Sequence, residues 1–160
     1  MARSSSTRRA WVPRAWPADR AAAEALRAWL ADPEPGGFVG NGLDFTGADF
    51  TGGDFVECWF GEAVLRRTTL RGAELTHAHV DGADLAEADL TEANLAGASA
   101  DKLLLRECKL EETDLTGFTG TVLGPISVVL RGQRTLLDGD DLEQWFTARG
   151  ARVSRFRPEP

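Results

Sequence analysis

From Leu43 onward, apolar residues recur at every fifth position in two linked series. The first series is mostly small: Leu43, Ala48, Gly53, Cys58, Ala63, Thr68, Ala73, Ala78, Ala83, Ala88, Ala93, Ala98, Leu103, Cys108, Thr113 and Phe118. Two residues further along comes a large apolar series: Phe45, Phe50, Phe55, Phe60, Leu65, Leu70, Leu75, Val80, Leu85, Leu90, Leu95, Ala100, Leu105, Leu110 and Leu115. Each unit thus reads small, polar and often acidic, large apolar, then two mostly polar positions. A period of five fits neither the 3.6-residue helix nor the two-residue alternation of a strand. The two inward positions, separated by one outward residue, describe a short extended segment, and the last two positions must turn the corner. Glycines at 47, 52, 61, 72, 82, 97 and 117 fall on those two positions, where a tight bend favours permissive residues. A chain that bends at every fifth residue coils on itself, and one coil cannot bury its inner face alone. Stability therefore has to come from stacking coil upon coil.

The runs ADFTG, ADLAE, ADLTE and ANLAG, at residues 48–52 and 83–97, resemble the A(D/N)LXX signature of the pentapeptide-repeat family. The resemblance covers residues 43–118 without a break in phase. It implies an all-β solenoid: a right-handed quadrilateral β-helix with four units per coil, about four coils here, with strands spaced about 4.8 Å apart. Residues twenty apart then stack, which gives core columns Phe45-Leu65-Leu85-Leu105, Phe50-Leu70-Leu90-Leu110, Phe55-Leu75-Leu95-Leu115 and Phe60-Val80-Ala100, the last thinning toward Gly120. The all-phenylalanine first coil departs from the commoner leucine and reads as a wide end filled by large rings.

The flanks look suited to covering the two open ends, since solenoids protect exposed edges and core. Residues 1–16 read as a basic, flexible arm. Residues 17–42 contain an amphipathic helix over 19–31, with Ala22, Leu26, Trp29 and Leu30 on one face, and a linker with Pro33, Pro35, Gly36 and Gly37. The repeat occupies 43–121. Residues 122–160 predict a strand at 126–130, a helix capped by Asp138 or Asp140 that carries Leu142, Trp145 and Phe146, and a last strand around Val153 and Phe156. This strand-helix-strand tail either closes the second end or, as in gyrase-directed members of the resembled family, forms a homodimer contact.

Charge changes the picture further. Residues 1–42 hold six basic and four acidic residues, 43–118 six and sixteen, and 119–160 six and five. The differences of +2, −10 and +1 recover the net charge of −7. A repeat body with that field repels phosphates, so direct nucleic-acid binding is not expected. No apolar stretch is long enough to cross a bilayer and no apolar run follows the basic start, so a cytoplasmic protein is expected, without a membrane role.

Catalysis requires converging groups, and the repeat spreads its polar residues over an outer surface, so no enzyme activity, cofactor or metal is expected. His77, His79, Cys58 and Glu57 are close in sequence, but in stacked coils His79 lies over Trp59, His77 over Glu57, and Cys58 points inward. Surface histidines are the better reading. Cys58 and Cys108 fall on different faces about 12 Å apart by strand spacing, beyond disulfide reach. What remains is a protein-interaction surface, with candidate partner-binding residues Asp44, Asp49, Asp54, Trp59, Val64, Asp84, Glu87, Asp89 and Glu92. The apolar residues Val56, Trp59, Val64 and Leu104 stand at outward positions, either open to a partner or covered by the arm bearing Trp11 and Trp16. The partner-binding reading is a generic scaffold for an unidentified protein. The alternative, implied by the resemblance, is a DNA mimic whose carboxylates imitate phosphates and bind DNA gyrase, as in quinolone-resistance members of the family.

Overall fold

The computed structural model describes residues 11–32 and 37–160. Through the repeat, single parallel bridges join each outward residue to the one twenty places later, as in Asp44 to Val64, Val64 to Asp84 and Asp84 to Leu104. The same step recurs from Asp49 to Lys109 and from Asp54 to Asp114. One turn of the coil therefore consumes four units, and the hydrogen bonds run between coils: Phe45 N donates to Val64 O at 2.7 Å, and Val64 N to Leu43 O at 2.9 Å.

The corners explain the period. In each unit the amide after the bend donates back to the carbonyl of the large apolar residue, as Ala48 N does to Phe45 O at 3.0 Å. The residue before that amide is left-handed, for example Gly47 at φ 72° and Gly72 at φ 60°. This is a type II turn, whose third residue needs positive φ. Where the position is not glycine it is mostly a long charged residue, including Glu57, Glu62, Arg67, Glu87, Glu92, Lys102, Glu107 and Glu112, at φ between 52° and 60°. Such backbone strain costs an L-residue roughly 1 kcal/mol, and it persists because each corner is pinned by the coils above and below.

Every predicted core residue from Phe45 to Leu115 is buried, with Leu75 at 2% exposure and Leu90 at 1%. Burying a leucine or phenylalanine contributes about 1.5–3 kcal/mol, so the columns outweigh any surface contact in holding the rod. Most of the small series also lies inside, with Leu43 and Thr113 partly buried. Three of its members donate to a carbonyl of the coil below: Thr68 Oγ1 to Phe45 O, Cys108 Sγ to Leu85 O and Thr113 Oγ1 to Leu90 O.

The coil begins one unit earlier than residue 43. Val39 bridges to Trp59, and Phe38 is buried at the small position while Gly40 stands at the large one. A Cβ on Gly40 would come within 2.9 Å of the rings of Phe38, Phe45 and Phe60, so the Phe38 ring fills the space that Gly40 vacates. Phe38, Phe45, Phe50, Phe55 and Phe60 form one cluster with ring centroids 5.2–6.2 Å apart.

Helix α1 (Arg20–Ala31) closes this end. The Asp19 side chain caps it by accepting from Ala22 N, Ala22 and Leu26 are fully buried, and Trp29 packs on Phe38 and Phe55. The linker residues Pro33, Pro35 and Gly36 lie outside the described residues. So do residues 1–10 of the expected flexible arm; its remainder departs from that expectation. Ala15 pairs antiparallel with Asp49, Arg14 N donates to Asp49 O at 2.9 Å, and Trp11 inserts edge-on against Phe50 and Phe55 while its Nε1 donates to Thr51 O. Trp11 is held because the first coil offers an open aromatic end and an unpaired strand edge.

At the other end the corners give way to longer strands. β1 (Ser99–Leu103), β3 (Thr119–Val122) and β6 (Arg152–Arg155) form a parallel sheet, and β2 (Cys108–Lys109), β4 (Ile126–Leu130) and β5 (Gln133–Leu137) form a mixed one. β4 still follows the coil, pairing Cys108 with Val128, so the stack continues past residue 121; β5 then folds back antiparallel on β4. The expected strand-helix-strand tail is thus a hairpin, a helix and a strand. α2 (Gly139–Thr147), capped by Asp138, buries Leu142 and Phe146, and Phe146 stacks on Phe118.

Candidate partner-binding surface

Outward positions of the repeat form columns set by the bridges. Asp44 and Asp84 share one column but are separated by Val64, and Asp49 and Asp89 share the next but are separated by Thr69. The third column runs Asp54, Glu74, Asn94, Asp114. Most of these side chains face their own corner before they face solvent. Asp44 Oδ1 accepts from Thr46 N and Oγ1 at 2.9 and 2.6 Å; Asp49 and Asp89 repeat the pattern with Thr51 and Thr91. Asp84, Asn94 and Asp114 accept the equivalent backbone amides. The acidic position is therefore first a turn-fixing device, in the manner of an Asx turn.

The same contacts set the electrostatics. Hydrogen bonds from the Thr46 hydroxyl and amide hold Asp44 below the usual carboxylate range, as those from Thr116 hold Asp114. At Asp89, partial burial pushes upward but is outweighed by the Thr91 hydrogen bonds and the charges of Arg71 and Lys109. Arg66 pairs with Asp84, and Arg71 with Asp89 at 3.4 Å. The acidic columns are consequently interrupted and partly neutralised. Glu87 and Glu92 project from left-handed corner positions and are exposed.

Trp59 is 44% exposed. The two tryptophans of the arm's described residues pack elsewhere: Trp11 lies on Phe50 and Phe55, and Trp16 packs under the Arg27 guanidinium. One face of the Trp59 indole is stacked on His79, with centroids 4.0 Å apart, and Ser99 Oγ lies 3.3 Å from His79 Nδ1. Val64, Val56 and Leu104 are only half-exposed. Beside Trp59 lies an open groove of about 640 Å³ lined by Asn41, Gly61, Glu62, Asp81, Asp101 and Lys102 among others. Glu62, Asp81 and Asp101 were not among the sequence candidates. The available signal was their position: they occupy the two corner positions of the same face as Trp59, and 61, 81 and 101 stack by the twenty-residue rule.

Cys58 and Cys108 are free and buried, and burial pushes both thiols far up. Among the described residues no group of three or more His, Cys, Asp or Glu is gathered as metal ligands would be, and no helix is long and apolar enough to cross a membrane.

The family pattern described as Pentapeptide repeats (9 copies) matches residues 40–79, and the one described as Pentapeptide repeats (8 copies) matches residues 70–102 and 83–119. Together they span half the chain, and the chain belongs to the pentapeptide-repeat family. Its fold is similar to the crystal structure of alr5209, a pentapeptide repeat protein from Nostoc PCC 7120, with 23% identity, TM-score 0.62, and 82% of this chain and 94% of that one covered. Rfr23 from the cyanobacterium Cyanothece 51142 is 26% identical with TM-score 0.49, covering 57% of this chain and 64% of that one, so the match spans less than two thirds of Rfr23. QnrB1, a plasmid-mediated fluoroquinolone resistance protein, is 16% identical with TM-score 0.30, covering 57% of this chain and 67% of that one. No curated protein sequence matches the chain.

Proposed function

We propose that this protein is a non-enzymatic interaction module of the cytoplasm, a right-handed quadrilateral β-helix of about four coils that offers an acidic surface to a protein partner. The observation that carries the reading is the separation of tasks within each unit: two inward positions hold the fold, and three outward positions carry a charge of −10 over residues 43–118. The surface includes Asp44, Asp49, Asp54, Asp84, Glu87, Asp89 and Glu92, with Trp59 and Val64 as its apolar part. The reading extends to a homodimer through the C-terminal segment, favoured by Leu136, 70% exposed on the outer strand β5. A sedimentation mass of one chain at micromolar concentration would remove that element.

A second reading, a DNA mimic acting on gyrase, draws on the net charge and on the column Asp54, Glu74, Asn94, Asp114. It is weakened by the arginines seated on Asp84 and Asp89. A gyrase supercoiling assay with the intact chain separates the two. A mimic inhibits supercoiling, or protects gyrase from quinolone-stabilised cleavage, at micromolar protein. A module of the first kind leaves both unchanged and crosslinks to one specific protein irrespective of added DNA; failure to retain any protein would sink it.

A further inference from the structure

Five tryptophans occur in the chain, and four of them have a phenylalanine or an arginine of the same molecule against the ring, although Trp16 is still 37% exposed. Trp11 and Trp29 lean on the phenylalanine cluster. The other two sit nearer the surface and each lies under an arginine, Arg27 over Trp16 at 4.7 Å and Arg149 over Trp145 at 3.7 Å. Trp59 differs. One face rests on His79, its neighbour one coil toward the N-terminal end is Val39, itself 60% exposed, and no guanidinium covers it among the described residues.

What stands beside it instead is negative charge. Glu62, Asp81 and Asp101 line the groove of about 640 Å³ that Trp59 borders, and none of the three has an ion-pair partner among the described residues. Asp81 Oδ1 accepts from Asp101 N at 2.7 Å, and Asp101 Oδ1 from Thr121 Oγ1 at 2.7 Å, which fixes both carboxylates in place. Lys102, the one cation lining the groove among the described residues, has its ammonium over the Phe156 ring at 4.8 Å. An open indole face attracts a guanidinium, which also forms planar hydrogen bonds with carboxylates.

Resting on the interaction-module reading above, we infer that this groove receives an arginine-bearing segment of the protein partner, with the guanidinium laid on Trp59 and paired with Glu62 and Asp81. The groove therefore completes from outside the arrangement that the chain makes for itself at Trp16 and Trp145. Charge complementarity favours a basic segment over an acidic one, and the flat ring favours arginine over lysine.

The test uses the intact chain and a fluorescently labelled tri-arginine peptide read by anisotropy, with tri-lysine and tri-citrulline peptides alongside. Saturable binding of the arginine peptide is expected, weaker for lysine and absent for citrulline. Trp59→Leu should raise Kd roughly two- to fivefold, and Glu62→Gln with Asp81→Asn by a similar factor, while Trp16→Leu leaves it unchanged. The carboxylate pair of substitutions keeps the indole and the Asp81 hydrogen bond, so it remains informative if Trp59→Leu lowers the thermal midpoint. Absence of saturation at millimolar peptide, or equal binding by wild type and both groove variants, overturns the inference. If in that case the wild-type chain still crosslinks to its protein partner, the interaction-module reading stands without it. If the peptide binds as expected but no protein is retained, the reading falls and the arginine site stands as a property of the surface alone.

Discussion

The two ends of the rod are closed in different ways. At the first coil the interior is wide, and the chain fills it with volume: five phenylalanines, then Trp11, Trp29 and α1 laid across them. At the last coil the interior narrows, with Ala100 and Gly120 in the column that Phe60 began; a Cβ on Gly120 would lie 1.7 Å from Ala100 O. There the chain extends its hydrogen bonding, adding β5 and β6 as outer strands and needing only Leu142 and Phe146 from α2 to cover the core. A solenoid end exposes both apolar surface and unpaired backbone, and each end of this protein is dominated by a different one of those two demands.

The largest effect that bears on this contrast is a core truncation at either end. Phe55→Ala should lose about 4–5 kcal/mol in urea unfolding, because its ring touches Trp11, Trp29, Phe38, Phe50 and Phe60, whereas Phe146→Ala should lose about 3 kcal/mol. A reversed order would mean that the C-terminal end depends more on volume. Next come the corners, which should behave alike along the rod. Gly47→Ala meets no atom within 4 Å yet sits at φ 72°, so it should cost about 1 kcal/mol from backbone strain alone. Glu92→Gly, at φ 60°, should gain less than about 1 kcal/mol, since glycine also frees the unfolded chain. The smallest effect is acid sensitivity of the corners at the two extremes of the repeat. The Asp44 and Asp114 carboxyls are held below their ordinary values by hydrogen bonds made only in the folded state. Their contribution is complete above the unfolded carboxylate range near pH 4 and is lost as pH falls through the depressed folded values. A thermal midpoint that declines below about pH 4, less steeply in the Asp44→Asn/Asp114→Asn variant, is the expected result.

The core was legible because one rule governs it: any residue two places after a small position is inward, and Phe45 through Leu115 obey. The first unit, Phe38 to Gly42, escaped because it exchanges the small and large positions, and only the packing of the Phe38 ring over Gly40 reveals the compensation. β5 escaped because four of its five residues are exposed, leaving no alternation to detect. The docking of Trp11 and Ala15 depends on an open edge that exists only once the coil is built. On the surface, Trp59 was legible from its misfit at a polar position. The pairing of Arg66 with Asp84 and Arg71 with Asp89 crosses nearly one full coil, at a separation of 18 residues, so counts of charge overstated the free acidity.

The corner arithmetic also bears on how such a chain can change length. Because four corners complete a turn, an insertion of five residues into the repeat would preserve every inward side chain while rotating all that follows by a quarter revolution about the rod axis. An insertion of twenty would restore the original bearings, one storey higher. The distance between Trp59 and the C-terminal hairpin, and the compass direction each one faces, are thus adjustable in discrete steps that leave the interior pattern untouched.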